Sequence, residues 1–270
     1  YYLPGFAEYA VYDSNNASKS MSVGDLMQWM LSSFKTVDEV ILHLKDVVVV
    51  SVENKDFGGA ELPFHFKIVD PSGNSRIIEI VNKGEVKIYT PYLGVITNSP
   101  TYDWHIINQR NYLNLSTNPN QQKSFGNYEL NPIGGGSGFI GLPGDFTPPS
   151  RFVRAAAFTA SCRPLDTSLD AVFESFRILD NFNIPLGAQV PAEKLPTDIV
   201  SATQVTSSCD LKEKVYYYHT MWNREVRKID LKLIDFSEIK EQIIDDDVKK
   251  ENTIKDVTPQ HSKRKKASKK

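Results

Sequence analysis

Cysteine is scarce in this sequence, which contains two residues of this type, Cys162 and Cys209. Two cysteines are too few for a disulfide framework, and neither a Cys-x-x-Cys motif nor a histidine cluster offers the spacing of a zinc site. We therefore expect no metal and no other cofactor. Cys162 ends an alanine-rich segment that is typical of a buried helix, and Cys209 lies in a strand-like context, so both thiols are expected in the core, with pairing between them as the alternative.

Long apolar runs and an excess of positive charge are also missing. No stretch approaches the roughly 20 apolar residues that a bilayer-spanning helix needs, so we expect no membrane span. The formal net charge is −2, and the basic C-terminal run lacks interleaved aromatic residues, which argues against a nucleic-acid partner. The chain does not begin with methionine, and we expect it to be a processed product or a piece of a longer chain.

Length and apolar content predict one globular domain. The chain has 270 residues, of which 40% are hydrophobic, enough for a sizeable core. Residues 1–244 are assigned to this domain. Residues 245–270 change from the acidic run Asp245–Asp247 to a lysine-rich end with almost no apolar side chains, and are predicted to be a disordered tail.

The order of helix and strand patterns predicts the fold class. Hydroxyl residues three positions before a carboxylate indicate short capped helices after Ser22 and after Thr36. An antiparallel meander is predicted over residues 63–90, because β-branched and aromatic runs alternate there with turn sequences. Further helical patterns occupy residues 101–115, 150–163 and 168–182, and strand patterns return at 204–209, 214–220 and 224–231. This order favours an α+β fold with two antiparallel sheets between helices, a four-layer sandwich.

Two segments between these elements carry functional interest. Residues 93–97 are strand-like and deliver Asn98 to the end of the strand, where a polar side chain can face a cleft. Residues 116–149 form a long stretch rich in Asn, Gln, Gly and Pro, and a loop of that length in a compact domain is usually functional or an assembly arm. Its glycine run lacks the following Lys-Ser/Thr and the preceding strand of a phosphate-binding loop, so nucleotide binding is not favoured.

Two motifs carry the clearest signal. The first is Asn98-Ser-Pro-Thr-Tyr-Asp-Trp-His105, and the second, about forty residues later, is Leu142-Pro-Gly-Asp-Phe-Thr-Pro-Pro-Ser-Arg-Phe152. Both resemble the choloylglycine hydrolase family, the cysteine-type N-terminal nucleophile amidases that include conjugated bile salt hydrolases and penicillin V acylases. The resemblance implies the αββα fold of N-terminal nucleophile hydrolases. It also implies cleavage of a linear, non-peptide C–N amide bond through a thioester acyl-enzyme.

The resemblance assigns roles to three residues of this chain. Amide hydrolysis needs a nucleophile, a proton acceptor and donors that hold the oxyanion of the tetrahedral intermediate. Asn98 matches the family's oxyanion-hole asparagine, and Arg151 matches its active-site arginine, a permanent cation that can lower a thiol pKa. Tyr2 matches a position at which bile salt hydrolases carry Asn and penicillin V acylases tend to carry Tyr, which leans toward the acylases. The alternative for Tyr2 is an ordinary strand aromatic.

The family's nucleophile has no counterpart here. It is a first-residue cysteine, followed shortly by an Arg and an Asp, whereas this sequence begins Tyr1-Tyr2-Leu3-Pro4. We expect those residues to precede Tyr1, so that the chain covers the central and C-terminal portions of an N-terminally incomplete fold. The chain alone is then expected to be catalytically inactive.

Other polar residues of the motifs are expected to be structural. Asp103 is predicted to cap or bond backbone amides at a helix start, and Trp104 to fill core space. Ser150 is predicted to be an N-cap, since no nucleophile elbow surrounds it. His105 is not favoured as a general base.

Two other functions stay open. One is a catalytically inactive, truncated homologue with a structural or assembly role, which a genuine N-terminus at Tyr1 would favour. The other is a cysteine enzyme of another family that uses Cys162 or Cys209, which their surroundings disfavour. For the amidase, the resemblance implies penicillin V, glycine- or taurine-conjugated bile acids, or N-acyl homoserine lactones as small-molecule acyl amide substrates. It also implies a homo-oligomer, because residues 116–149 resemble the arm through which family members form tetramers.

Overall fold

The computed structural model describes residues 2–3, 19–50, 52, 63–134, 138–189, 202–237, 243–244, 247 and 249–258. Its α-helices are α1 Val23–Ser33, α2 Val37–Leu44, α3 Tyr102–Gln109, α4 Pro148–Ser161 and α5 Ser168–Asp180. Its strands are β1 Tyr2–Leu3, β2 Ser20–Ser22, β3 Val48–Val50, β4 His65–Val69, β5 Ser75–Val81, β6 Glu85–Tyr89, β7 Lys123–Phe125, β8 Tyr128–Leu130, β9 Val205–Asp210, β10 Val215–Thr220 and β11 Arg227–Asp230. Short 3₁₀ helices cover Tyr92–Gly94, Arg110–Tyr112 and Leu231–Leu233.

The strands form two main antiparallel sheets. One has the order β1-β4-β5-β6 and contains the meander predicted over residues 63–90, and the other has the order β11-β10-β9. Smaller pairings are β2 with β3, which is parallel, and the β7–β8 hairpin. The order along the chain, with strands followed by helices and then by strands again, therefore confirms the α+β class. The long stretch over residues 116–149 is not structureless, because it contains the β7–β8 hairpin.

The first two helices begin where the capping pattern predicts. The Ser22 hydroxyl accepts a hydrogen bond from the Asp25 backbone N–H at 3.1 Å. At α2 the Thr36 hydroxyl accepts from the Glu39 N–H, while the Glu39 carboxylate accepts from the Thr36 N–H. These reciprocal bonds form a capping box, which satisfies backbone donors that the first turn of a helix leaves without partners.

Strand β5 is buried on both faces and divides the core. Ile78 and Ile80 face α1 and α2, where they join a buried cluster with Leu26. Ile77 faces the opposite side and packs with Phe152 of α4. Because side chains alternate along a strand, Glu79 shares the side of Ile77, and that side leads to α3 and α4.

The second sheet packs against α5 and receives part of the C-terminal segment. Helix α5 contacts β9, and Phe176 lies against His219 of β10. Asp247 binds Arg227 through an ion pair and accepts a hydrogen bond from the Tyr218 hydroxyl at 3.0 Å. The boundary between a domain at 1–244 and a tail at 245–270 stays a prediction. None of the described helices has the length and apolar content that crossing a bilayer requires.

Candidate active site

Asn98 lies in an irregular segment between the 3₁₀ helix Tyr92–Gly94 and α3, so the strand predicted over residues 93–97 is wrong. Leu93 and Gly94 have φ of +51° and +68°, and this left-handed backbone turns the chain out of the sheet. The Thr97 hydroxyl donates to the Pro148 carbonyl at 3.1 Å, which joins the segment to the first residue of α4. Asn98 is therefore positioned by a contact to a helix rather than by a strand.

Helix α4 places Arg151 in its first turn. Thr147 is the N-cap residue, and its side chain makes no cap hydrogen bond. Ser150, predicted to be the N-cap, lies inside the helix and donates its hydroxyl proton to Asp145 Oδ2 at 2.6 Å, so that prediction is wrong. Pro148 at the first helical position explains the earlier start, because its fixed φ suits a helix and its missing N–H needs no acceptor there.

Asn98 and Arg151 lie 53 positions apart in sequence, and the fold brings them together. Arg151 Nη2 donates to Asn98 Oδ1 at 2.6 Å, and Arg151 Nε donates to the Phe146 carbonyl at 3.0 Å. Because a guanidinium has donors and no acceptor, the carboxamide oxygen of Asn98 must face it. The NH₂ group of Asn98 consequently points away from the guanidinium. The bond to Arg151 therefore fixes the direction in which this NH₂ group donates.

Burial and a neighbouring cation shape the charge of Arg151. Burial lowers the pKa of the Arg151 guanidinium, and the positive charge of Arg154 lowers this pKa further. Arginine begins from so high a pKa that it stays charged at physiological pH. A charged donor makes a stronger hydrogen bond than a neutral one, so the contact to Asn98 is well suited to fixing that side chain.

The loop before α4 is held by Asp145 and Arg154. The Ser150 hydroxyl, the Thr147 hydroxyl and the Thr147 N–H, in that order, lower the pKa of Asp145 to about 2. Arg154 is 5% exposed, and its Nη1 donates to the carbonyls of Pro143 and Asp145 at 2.7 and 2.6 Å. These bonds fix the loop that carries Phe146, whose carbonyl holds Arg151.

A buried polar network lies behind Asn98, and the sequence analysis missed its first member, Glu79. The Glu79 Oε1 atom accepts from the Tyr102 N–H at 2.9 Å and lies 3.4 Å from His65 Nδ1. His105, one turn along α3, contacts the Asn98 carbonyl through Nε2 at 3.1 Å. Because that carbonyl can only accept, Nε2 carries the proton, and burial lowers the pKa of the His105 imidazole. His105 is thus a hydrogen-bond donor in this structure.

Tyr2 and Cys162 are the remaining predicted residues. Tyr2 pairs with Phe66 through its backbone in β1. Cys162 is exposed at the C-terminal end of α4, so its expected place in the core is wrong.

Three further predictions from the sequence can be compared with the structure. Cys209 is half-buried, and both thiols are free, so the two cysteines are not paired. Trp104 is 40% exposed and does not fill the core. Asp103, as expected, accepts from a backbone amide, that of Trp104, at 3.0 Å. The core positions predicted for Cys162 and Trp104 were based on apolar neighbours in sequence. Both side chains are exposed, because Cys162 follows the last residue of α4 and Trp104 lies on the surface of α3.

Comparison with known proteins adds independent evidence. The sequence model of the linear amide C–N hydrolases, choloylglycine hydrolase family, matches residues 1–245. A bile salt hydrolase/transferase of Clostridium perfringens is 32% identical over 240 residues, which cover 88% of this chain and 71% of that protein. A penicillin V acylase of Pectobacterium atrosepticum is 25% identical over 244 residues, which cover 86% of this chain and 58% of that protein.

A solved structure is similar over most of the chain. The crystal structure of a Cys-to-Ala mutant of the conjugated bile acid hydrolase from Clostridium perfringens superposes with a TM-score of 0.78 and 29% identity, and covers 95% of this chain and 76% of that chain. The chain belongs to the choloylglycine hydrolase family of linear amide C–N hydrolases. On that ground the protein is an enzyme of the amide hydrolase type.

Proposed function

We propose that Asn98 is the oxyanion donor of this amide hydrolase and that Arg151 orients it. The observation that supports this most strongly is the 2.6 Å hydrogen bond from Arg151 Nη2 to Asn98 Oδ1. A neutral NH₂ group suits a developing oxyanion, because it donates without needing a change of protonation. A donor that is already fixed before the reaction needs no reorganisation when charge develops.

We propose that the nucleophile is a cysteine that precedes Tyr1 and is the first residue of the mature enzyme. Its thiolate attacks the amide carbonyl carbon and forms a tetrahedral oxyanion, which the NH₂ group of Asn98 stabilises. The C–N bond then breaks, the amine leaves with a proton, and a thioester remains. Water attacks the thioester and releases the carboxylic acid, which restores the thiol. The α-amine, with an ordinary pKa of about 7.7–8.0, accepts and returns the proton.

The substrate class that we propose is a small acyl amide with an apolar acyl body and a polar leaving amine. The names of the similar proteins support glycine- or taurine-conjugated bile acids and penicillin V as the first compounds to test. Tyr2 favours penicillin V as the substrate, because penicillin V acylases tend to carry Tyr at this position of the family pattern. Its backbone position beside β4 places it on the same sheet as Glu79.

For the architecture, we propose the four-layer αββα arrangement, completed by a segment N-terminal to Tyr1. Helices α1 and α2 cover one sheet and α5 packs on the other, which supports helical outer layers. The similarity to the bile acid hydrolase structure supports the same arrangement. An experimental structure of the mature enzyme tests it, since a different order of layers would contradict the proposal.

We also propose that the protein is a homo-oligomer, with a tetramer as the specific expectation. The β7–β8 hairpin exposes apolar side chains that a lone subunit would leave in water: Phe125, Tyr128 and Leu130. Light scattering after size-exclusion chromatography should give a mass near four subunits. The double variant Phe125→Ser and Tyr128→Ser should lower that mass, and a monomeric starting protein would contradict the proposal.

The experiment that tests the proposed function is an assay of the protein purified from its source. Release of taurine or glycine from conjugated bile salts, and of the amine product from penicillin V, should be measured by mass spectrometry. We expect turnover of at least one of these compounds. If a folded protein releases no amine from any of them, the inactive homologue with an assembly role becomes the better account.

A further inference from the structure

Helix α3 begins beside Asn98, and one of its first-turn donors, the Trp104 N–H, is satisfied locally by Asp103 at 3.0 Å. Its N-cap residue, Thr101, has an extended backbone, and its side chain makes no cap hydrogen bond. The first N–H groups of a helix have no partner within the helix, and a buried donor left without an acceptor is costly. The Tyr102 N–H finds its acceptor in Glu79 Oε1 at 2.9 Å, on a strand 23 positions earlier. A carboxyl group from the sheet thus accepts from the first N–H of this helix.

Glu79 is a costly residue to bury, which makes its position informative. Its side chain is 0% exposed, and Oε2 has no hydrogen-bond partner among the described residues. Burying a carboxyl group with unsatisfied capacity contributes poorly to stability, and an apolar side chain of similar volume often serves a core as well. The sheet register explains its contacts, because pairing of Phe66 with Ile78 sets His65 opposite Glu79.

The first turn of α3 links Glu79 to Asn98. His105 donates from Nε2 to the Asn98 carbonyl at 3.1 Å, while its own N–H donates to the Thr101 carbonyl at 3.2 Å. The imidazole is 2% exposed and stacks on Phe152 of α4, with ring centroids 4.7 Å apart and planes 8° apart. The ring therefore has little freedom to rotate. Movement at the start of α3 must carry His105, and with it the backbone of Asn98.

We propose that Glu79 is a positioning residue for the amidase chemistry: by holding the start of α3, it fixes His105 and thereby the orientation of the Asn98 carboxamide. This inference rests on the proposed function of Asn98 as the oxyanion donor. Glu79 does not touch the reacting atoms. Its effect reaches them through two hydrogen bonds and one turn of helix.

The variants follow from the contacts. Glu79→Leu removes the acceptor of the Tyr102 N–H at similar volume, whereas Glu79→Gln keeps a carbonyl oxygen that can accept from it. His105→Phe keeps a ring to stack on Phe152 and removes the donor to Asn98, which provides a second variant if Glu79→Leu fails to fold. The matched control is Asp70→Leu, because Asp70 Oδ2 accepts from the Val37 N–H at the start of α2 at 3.1 Å, away from Asn98.

The first readout is the side-chain NH₂ resonance of Asn98 in ¹⁵N-labelled full chain, assigned by its loss in Asn98→Ala. We expect this resonance to shift or broaden in Glu79→Leu and in His105→Phe. It should stay in place in Asp70→Leu, and should move less in Glu79→Gln than in Glu79→Leu. An unmoved Asn98 resonance in both Glu79→Leu and His105→Phe overturns the proposal, whatever the activity of the protein.

The second readout is kinetic and uses the enzyme purified with its native N-terminus. A misplacement of about 1 Å costs about 100-fold in rate, so Glu79→Leu should lower kcat by about that factor. KM should stay within about threefold, because the oxyanion donor acts in the transition state and not in substrate binding. Glu79→Gln should recover most of kcat. Loss of thermal stability with unchanged kcat would show a purely structural Glu79, whereas unchanged kcat in Asn98→Ala would instead reject the proposed function.

Discussion

Helices α2 and α3 both begin against a carboxyl group of the β4–β5 hairpin, yet their caps differ. The Val37 N–H at the start of α2 donates to Asp70, and the Tyr102 N–H at the start of α3 donates to Glu79. At α2, Thr36 adds a complete capping box within four residues of sequence. At α3, the N-cap residue Thr101 makes no cap bond, and the local Asp103 carboxylate accepts from the Trp104 N–H but not from the Tyr102 N–H.

This difference separates a helix that is stabilised locally from one that is positioned from a distance. The residues that cap α2 are neighbours in sequence, so they would favour a helix start even in an isolated peptide. The start of α3, beside Asn98, depends on Glu79 and on the fold that brings β5 to it. The candidate active site therefore lies beside a helix start that a long-range contact helps to hold.

The largest effect on kcat is expected at Asn98, which lies beside the start of α3. The start of α2 carries no proposed catalytic group. Removing one oxyanion donor typically costs about 10²–10³-fold in kcat, so Asn98→Ala should lose activity by that factor. Asn111→Ala, at an exposed asparagine beyond α3, is the matched control and should keep wild-type kcat. Steady-state kinetics with a conjugated bile salt and with penicillin V measure both, and an active Asn98→Ala would contradict the assigned role.

A weaker effect on kcat is expected at Arg151, which lies in the first turn of α4 and donates to Asn98 Oδ1. Arg151→Lys keeps the charge but cannot bond the Phe146 carbonyl and Asn98 Oδ1 in the same planar geometry. Loss of one charge-assisted hydrogen bond corresponds to roughly a tenfold decrease in kcat. Arg110→Lys, at an exposed arginine, is the control for the substitution itself. Equal kcat in the two variants would show that the guanidinium shape is not required.

A smaller effect, on stability alone, tests the two threonine N-caps directly. Thr36→Ala removes an acceptor of the capping box and should lower the free energy of unfolding by about 1 kcal/mol. Thr101→Ala removes no cap bond and should change it by less than about 0.5 kcal/mol. Urea denaturation of both variants measures the difference. If Thr101→Ala is as destabilised as Thr36→Ala, then Thr101 caps α3, and the role proposed for Glu79 at this helix start is contradicted.

The smallest effect is a pH dependence at the start of α4. Hydrogen bonds lower the pKa of Asp145 from 3.8 to about 2 in the folded protein, so its stabilising contribution is present above pH 3.8 and is lost as pH falls toward 2. The contribution is small, because Asp145 is exposed to solvent. The urea midpoints of the wild type and Asp145→Asn should therefore differ at pH 7 and converge between about pH 4 and pH 2. A constant difference over that range would contradict this assignment.

Sequence reasoning predicted what local patterns control. The capped starts of α1 and α2, the meander of β4–β6, and the strands β9–β11 all follow from residues that are close in sequence. Asn98 and Arg151 were proposed from motifs, and the structure places them in contact. The family assignment from the same motifs is confirmed by the comparisons.

The errors have a common physical cause. Residues 93–97 contain strand-forming side chains, but the left-handed backbone at Leu93 and Gly94 and the bond from Thr97 to α4 take them out of the sheet. Cys162 follows an apolar segment but lies past the last helical residue, where it is exposed. Glu79 looked like an ordinary residue of an apolar strand. Its contact with Tyr102 exists only because the fold brings β5 and α3 together.

The most direct test of the account is to locate the acyl group during turnover. The enzyme with its native N-terminus should be acid-quenched while it hydrolyses penicillin V or a conjugated bile salt, then digested and analysed by mass spectrometry. We expect a thioester on a cysteine that precedes Tyr1 and forms the first residue of the mature chain. An acyl group on Cys162 or Cys209 would contradict it, and so would turnover that continues after the first-residue cysteine is replaced by alanine.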